Sequence, residues 1–319
     1  MGAPTIGVDV GGTKIAAGLV GPDGAILTRT QVPTEAHDPA AIVSDIVAVA
    51  RELANAAPGA AGVGVGAAAL VDVERGVILG GPNLAYRDVA IADRLSREVG
   101  LPAIVDNDAN VAALGEALYG AGRAAADQVM VTVGTGIGSG IVIDGRIYRG
   151  HHGTGGELGH MVIDPDGPVC ACGNRGCWEA MASGRAIGRL ARQRVEGGAG
   201  ADVLAAAGGN LDAITGELVG DAAAAGSAFA RDVLAEIGRL LGIGLANIVN
   251  IFDPQIIVLG GGAVAGTGEL LVAPARESMK AHIVGLSWRP AVAQVVPAAL
   301  GNDAGIVGAA VLARRLAGQ

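Results

Sequence analysis

A glycine-punctuated strand pair occurs twice in this chain, and that recurrence narrows the accessible folds more than any other feature. "IGVDVGGTKIAAGLVGPDGAI" occupies 6–26 and "VMVTVGTGIGSGIVIDGRI" occupies 129–147. Each stretch reads as a buried strand, a Gly-Thr turn, a second strand and a turn containing Asp-Gly. The spacings differ by only a residue or two. A supersecondary unit repeated at the head of two half-chains predicts two similar α/β domains. The competing reading is a coincidence between two glycine-rich hairpins.

The remaining pattern fits that duplication. "AILTRTQV" adds a third antiparallel strand, and Asp38 followed by Pro39 marks an N-cap and first helical position. Ile42, Ile46, Val49 and Leu53 give that helix an apolar stripe, which Pro58 ends. "GVGVGAAAL" reads as a strand, "VAIADRLSREVG" as a helix closed by Gly100, and "PAIVDND" as a strand feeding a helix near Ala109. The expected order is βββαβαβ. The second half is richer in helix, at 183–196, over a long stretch from about 221 to 250, and at 269–281. Strands "QIIVLGGG" and "AVAQVV" interleave with these, and a last helix after Asn302 is expected to pack back on the first domain. The expected division is a small α/β domain of 1–118 plus 302–319, and a large α/β domain of 119–301 containing a metal-binding segment at 157–179.

Composition removes several function classes. Aromatics are 2% of the 319 residues while apolar residues are 51%, so the core must be Ala, Val, Ile and Leu. A formal charge of -9 with Lys and Arg scattered singly offers no basic stripe to displace counterions, which argues against nucleic acid. No basic segment precedes an apolar run at the start, and no apolar run is long enough to span a bilayer without Gly or charge. The expectation is a cytoplasmic protein with no membrane partner, in which thiols stay reduced.

Two of the glycine turns carry phosphate-binding chemistry. "DVGGTK" supplies Asp9, Gly11, Gly12, Thr13 and Lys14, and "GTGIG" supplies Gly134, Thr135 and Gly136. Without a Cβ, such turns let backbone N–H groups approach a phosphate closely. Asp9 would repel phosphate unless a cation intervenes, and Mg2+ reconciles the two. "VLGGG", with Gly261 and Gly262, is a third such turn, suited to the base or sugar of a nucleotide. Neither a P-loop nor a dinucleotide fingerprint fits these spacings.

"VDNDANVAALGE" places Asp106, Asn107 and Asp108 where a strand becomes a helix, the usual ligand edge of an open α/β sheet. Asp108 is expected at or beside the N-cap. It either caps or serves as a general base, and Asn107 beside it favours a base acting on a polyol.

All three cysteines fall within eight residues of one another, behind a histidine. His160, Cys170, Cys172 and Cys177 form H-x9-C-x-C-x4-C, four soft ligands suited to a closed tetrahedral Zn2+ site. A buried apolar cysteine cluster and a redox pair are the alternatives, and His151 and His152 are rival ligands. With no position left for water, the zinc is read as structural. Glu157 and Glu179 flank the segment, and a bound ion would hold both carboxylates ready for the vicinal hydroxyls of a sugar.

Together, "DVGGTK", "PNLAY", "VDNDANVAALGE", "VTVGTGIGSGIV", "GELGH", "CACGNRGCWE" and "VLGGG" resemble the ROK family of repressors, open-reading-frame proteins and sugar kinases, and within it the bacterial glucokinase type. The resemblance spans nearly the whole chain. It implies a two-lobed actin- and hexokinase-like (ribonuclease H-like) α/β fold with an interdomain cleft and an internal duplication of a βββαβα unit. It implies ATP with Mg2+ as donor, and Asp108 as the base for the primary hydroxyl of a hexose, glucose in first place. Asn83, Asn107, Glu157, His160 and Glu179 match the family's sugar-contacting positions, and the cysteines with His160 match its zinc ligands. A homodimer or homotetramer is expected.

Two departures fall near the sugar positions: "GVGVGAAALVD" replaces a Pro-Gly strand, and Tyr86 stands near a place that often holds Trp. They bear on which hexose is used. Mannose, fructose, allose and N-acetylmannosamine stay open as substrates, polyphosphate stays open as donor, and a sugar-sensing regulator is the competing function. The family's DNA-binding repressors carry an added N-terminal helix-turn-helix, whereas the first phosphate-turn strand here begins at Thr5.

Overall fold

The structure is a computed structural model that describes residues 2–81 and 87–318. It has two compact units, one of Met1–Met130, Gly140–Gly156 and Ala298–Gln319, the other of Val131–Ser139 and Glu157–Pro297.

The chain opens with an antiparallel meander of β1 (Thr5–Val10), β2 (Lys14–Val20) and β3 (Ile26–Pro33). α1 (Pro39–Ala56) follows, started by Asp38, whose carboxylate accepts from the N–H groups of Ala40 and Ala41 at 2.9 and 3.0 Å. Such a cap is worth about 1 kcal/mol. Its stripe of Ile42, Ile46, Val49 and Leu53 is buried as the periodicity requires. Burying each side chain of this kind stabilises the fold by roughly 1.5–3 kcal/mol.

β4 (Val63–Ala67) then pairs parallel with β1. β5 (Leu70–Asp72), β6 (Val77–Gly80) and β7 (Arg87–Val89) form a small separate sheet that the sequence pattern does not anticipate. α2 (Ile91–Val99), closed by left-handed Gly100, leads to β8 (Ala103–Asn107), which pairs parallel with β4 and runs directly into α3 (Asp108–Tyr119). The sheet order is β3-β2-β1-β4-β8.

A second meander begins with β9 (Gln128–Val133), β10 (Ile137–Ile143) and β11 (Arg146–Tyr148). Helices α4 (Trp178–Ala182), α5 (Gly184–Glu196), α6 (Ala201–Ala206), α7 (Gly216–Ala224) and α8 (Ala228–Phe252) precede β12 (Ile256–Gly260). α9 (Gly262–Thr267), α10 (Glu269–His282), β13 (Gln294–Pro297) and α11 (Ala304–Ala317) complete the chain. The order β11-β10-β9-β12-β13 repeats that of the first sheet, strand for strand. The duplication read from the two glycine turns is therefore present.

The helix expected from about 221 to 250 is two helices. Gly226 adopts a left-handed φ of 104° between them, and the Ser227 hydroxyl accepts from Ala230 N–H at 3.1 Å to start α8. By length and composition α8 could cross a membrane. It is the core helix of the second unit, with Val233, Leu234, Ile237, Leu241, Leu245 and Ile248 buried and Gly238 and Gly242 set against the backbone of α10.

The expected division at 118 also shifts. Residues 119–130, 140–156 and 298–301 belong with the first unit. Gly140 allows the α3 backbone at Ala109 to lie directly on β10, and Gln128 donates to the Ala113 carbonyl at 2.9 Å. Glu116, fully buried, accepts from the N–H groups of Ala299 and Leu300 at 3.1 and 2.7 Å. α11 is then sunk into the same unit, where a Cβ on Gly7, Gly64 or Gly308 would overlap a backbone carbonyl of the helix–sheet or helix–helix contact.

Candidate active site and metal centre

In the first unit, the β8–α3 junction sets Asp108. The capping role falls to Asn107, whose Oδ1 accepts from Ala109 and Asn110 N–H at 2.9 and 3.1 Å. Asp108 is the first helical residue, so its carboxylate is not consumed by the cap. Asn107 is more committed than the sequence suggests, because its Nδ2 also donates to the Ala69 carbonyl at 3.2 Å. Its other amide hydrogen serves the Asp108 carboxylate.

Burial pushes the Asp108 carboxyl above the usual carboxylate range, against the pull of hydrogen bonds from the Ala109 and Asp108 N–H groups and from Asn107. Asp9, next to the last residue of β1, is raised to about 7 by burial and then by the charge of Asp108, with Lys14 pulling the other way. A carboxylate raised by a neighbouring carboxylate favours a proton or a cation beside it. Gly305 at the start of α11 leaves room for the Asp9 carboxylate, which a Cβ there would strike. The turn of Gly11, Gly12 and Thr13 is closed by the Gly11 N–H donating to the Lys14 carbonyl at 3.0 Å, and Thr13 and Lys14 are exposed.

In the second unit, the matching turn is closed by the Gly134 N–H donating to the Gly136 carbonyl at 2.9 Å, while the Gly184 N–H holds the Gly134 carbonyl at 2.8 Å. Beside it lies a cavity of about 850 Å3. Gly134, Thr135 and Gly262 are among the residues that line it. Gly261 is instead a packing residue, with φ 91° and no room for a Cβ against Val133. Most of the lining was missed: three helices each present glycines four apart, Gly184 and Gly188 on α5, Gly216 and Gly220 on α7, Gly262 and Gly266 on α9. A residue pair at that spacing shares one helix face, so removing both side chains opens a groove. Arg185, Arg189, Arg192, Glu217 and Asp221 supply charge. Burial and then Arg192 hold the Arg189 guanidinium below its ordinary value, as expected of a cation awaiting an anion.

The cysteine segment folds on itself through paired turns. The Cys170 N–H donates to the Asn174 carbonyl at 2.7 Å and the Ile163 N–H to Gly176 at 2.9 Å, with Gly173 and Gly176 at φ 94° and 66°. His160, Cys170, Cys172 and Cys177 are thereby gathered, with all four ligand atoms within 4.8 Å of one another. His160 Nδ1 lies 3.7 Å from Cys170 Sγ, and the sulfurs of Cys172 and Cys177 are also 3.7 Å apart. Ligand atoms around tetrahedral zinc stand about 3.5–3.8 Å apart, given Zn–S near 2.3 Å and Zn–N near 2.0 Å. The donor set fits the ion in both chemistry and spacing. His151 and His152, stacked edge-on at 4.6 Å, are not part of it.

Glu179, on the first turn of α4, lies between centre and turn. Oε2 accepts from the Ile137 N–H at 3.0 Å and Oε1 is 3.7 Å from Cys170 Sγ. Trp178, fully buried, fixes α4. Glu157 is exposed and precedes a single 3-10 turn, Leu158–His160, that carries His160. Asn83, with Tyr86, lies outside the described residues.

Residues 5–316 match the family model described as "ROK family". A glucokinase of Streptomyces coelicolor is 45% identical over 312 residues, covering 97% of this chain and 97% of its own. A glucokinase of Thermotoga maritima is 37% identical over 317 residues, with 98% of each chain covered. The crystal structure of a ROK family glucokinase from Streptomyces griseus, in complex with glucose and AMPPNP, aligns with a TM-score of 0.87 at 42% identity, over 98% of this chain and 99% of that one.

Proposed function

Because this chain belongs to the ROK family, we propose that it is a glucokinase, transferring the terminal phosphoryl group of ATP to the primary hydroxyl of glucose. The observation that carries this reading is the β8–α3 junction. Asn107 takes over the helix cap, and Asp108 is left as a carboxylate whose burial makes it a stronger base than a surface aspartate.

Phosphoryl transfer asks the protein mainly for positioning and for charge at the transferring group. Asp108 accepts the proton of the sugar hydroxyl as that oxygen attacks. Asp9, with Lys14 nearby, is suited to hold Mg2+ directly or through water, and the turns of Gly11, Gly12, Thr13 and of Gly134, Thr135, Gly136 offer N–H groups to phosphate. The glycine-faced cavity on α5, α7 and α9 has the size for a nucleoside. Its arginines suit the phosphates and Glu217 a ribose diol.

His160, Cys170, Cys172 and Cys177 would hold zinc, which would supply fixed geometry with no position left open for water. Glu157, His160 and Glu179 on the second unit, and Asn83 and Asn107 on the first, are the residues proposed to meet sugar hydroxyls. The enzyme works in the cytoplasm as a homodimer or homotetramer, with no nucleic-acid or membrane partner.

A coupled assay over glucose, mannose, fructose, allose and N-acetylmannosamine, run with ATP and with polyphosphate, tests the reading. Glucose with ATP should give the highest kcat/KM. Absence of ATP-dependent turnover on every sugar would refute it, and a higher value for another hexose would reassign the substrate alone.

A further inference from the structure

We infer that Arg149 is a positioning residue for the base, acting on the β8–α3 junction through the buried carboxylate of Asp106. Asp106 is 1% exposed and its two oxygens have separate partners. Oδ1 accepts from the Asn107 N–H at 2.8 Å and from Nδ2 of Asn110 at 3.0 Å, one residue before Asp108 and two residues after it. Oδ2 accepts from Nε and Nη2 of Arg149 at 2.8 and 2.5 Å.

This fork is not a surface ion pair of small worth, because its acidic partner has no solvent to fall back on. A buried carboxylate stripped of its cation must protonate, turn or admit water. Each of these outcomes disturbs the hydrogen bonds to Asn107 or Asn110. Asn107 is also the cap of α3, so Asp108 moves when it moves.

Arg149 is tied at its other end as well. It follows β11, and its carbonyl accepts from the Gly155 N–H at 2.8 Å, closing the loop that leads to Glu157. Arg146 and Arg149 both act on Arg315, so positive charge gathers here, and Asp106 pairs with the Arg149 member of the group. One residue thus closes the loop with its backbone and clamps the junction with its side chain.

The readout, though not the geometry, rests on the kinase reading. Arg149→Met should lower kcat about 100-fold, the scale of a slight misplacement of a reacting group, with KM for ATP unchanged within about twofold. Arg149→Lys, which keeps one charged donor, should recover part of the loss. Asp106→Asn combined with Arg149→Met should cost no more than the worse single variant. Amide exchange at 107–110 should be faster in Arg149→Met than in wild type. Wild-type kcat with only a lowered Tm, or additive losses in the double variant, overturns the inference. If Arg149→Met does not fold, Arg149→Lys and Asp106→Asn decide by the same kcat-against-KM split. If wild type itself phosphorylates no hexose, the kinase reading fails and exchange at 107–110 alone decides, with unchanged rates overturning the inference.

Discussion

Ile137 donates its N–H to Oε2 of Glu179 at 3.0 Å, while the other oxygen of that carboxylate faces Cys170 Sγ at 3.7 Å. One side chain therefore links the glycine turn at 134–136 to the cysteine centre, and Gly136 has no room for a Cβ because this carboxylate occupies the space. A disturbance of the centre therefore has a direct route to the turn through Glu179.

Removing zinc, by chelation or by Cys172→Ser, should accordingly weaken nucleotide binding as well as sugar binding. Metal content and the affinity for a non-hydrolysable ATP analogue, measured on one preparation, check this. A metal-free, folded protein with undiminished nucleotide affinity would leave Glu179 as a sugar ligand only.

Asp108→Asn should reduce kcat by about 10²–10⁴-fold, the usual worth of a general base, and leave glucose affinity nearly intact. The fold should survive because the cap that Asn107 gives to the Ala109 and Asn110 N–H groups is untouched. Turnover close to wild type would exclude Asp108 as the base.

Asp9 makes stability depend on pH in a stated direction. Its folded pKa of about 7 exceeds the unfolded value of about 3.9. Across that interval the folded chain holds the extra proton, so stability falls as pH rises from about 4 to about 7 and then levels off. Asp9→Asn removes the penalty. The Tm of the nucleotide-free protein should rise by a few degrees at about pH 8 and barely change at about pH 4. Equal shifts at both values would mean that the carboxylate is not strained.

Gly266 faces open space in the cavity, so Gly266→Leu can fill the groove without displacing backbone. KM for ATP should rise about tenfold or more, with KM for glucose and Tm little changed. An unaltered KM for ATP would place the nucleotide elsewhere.

What the sequence displays best is chemistry compressed into short spans. His160 and the three cysteines lie close enough along the chain for turns alone to gather them, and the two glycine turns repeat visibly. The Asp108 junction is readable too, but not who caps it, because Asn and Asp both cap well and only the backbone decides between neighbours. The cavity stayed hidden for another reason. "GRAIG", "GELVG" and "GAVAG" each show glycines four apart, yet nothing local says that helices 184–196, 216–224 and 262–267 meet. That recurrence was the available signal. Arg149 gives none, since a lone arginine in a glycine-rich loop reads as solvated surface until Asp106 is found beneath it.

The seating of α11 governs the order in which this protein can mature. Val111 and Leu114 of α3 cluster with Ala309, Val311 and Leu312, and Glu116 waits for the N–H groups of Ala299 and Leu300. A nascent chain emerging from the ribosome exposes that apolar seam throughout elongation, while the stretch from 157 to 297 already has its own core partners in hand. The amino-terminal unit, although begun first, can close its core only once its last helix has been made.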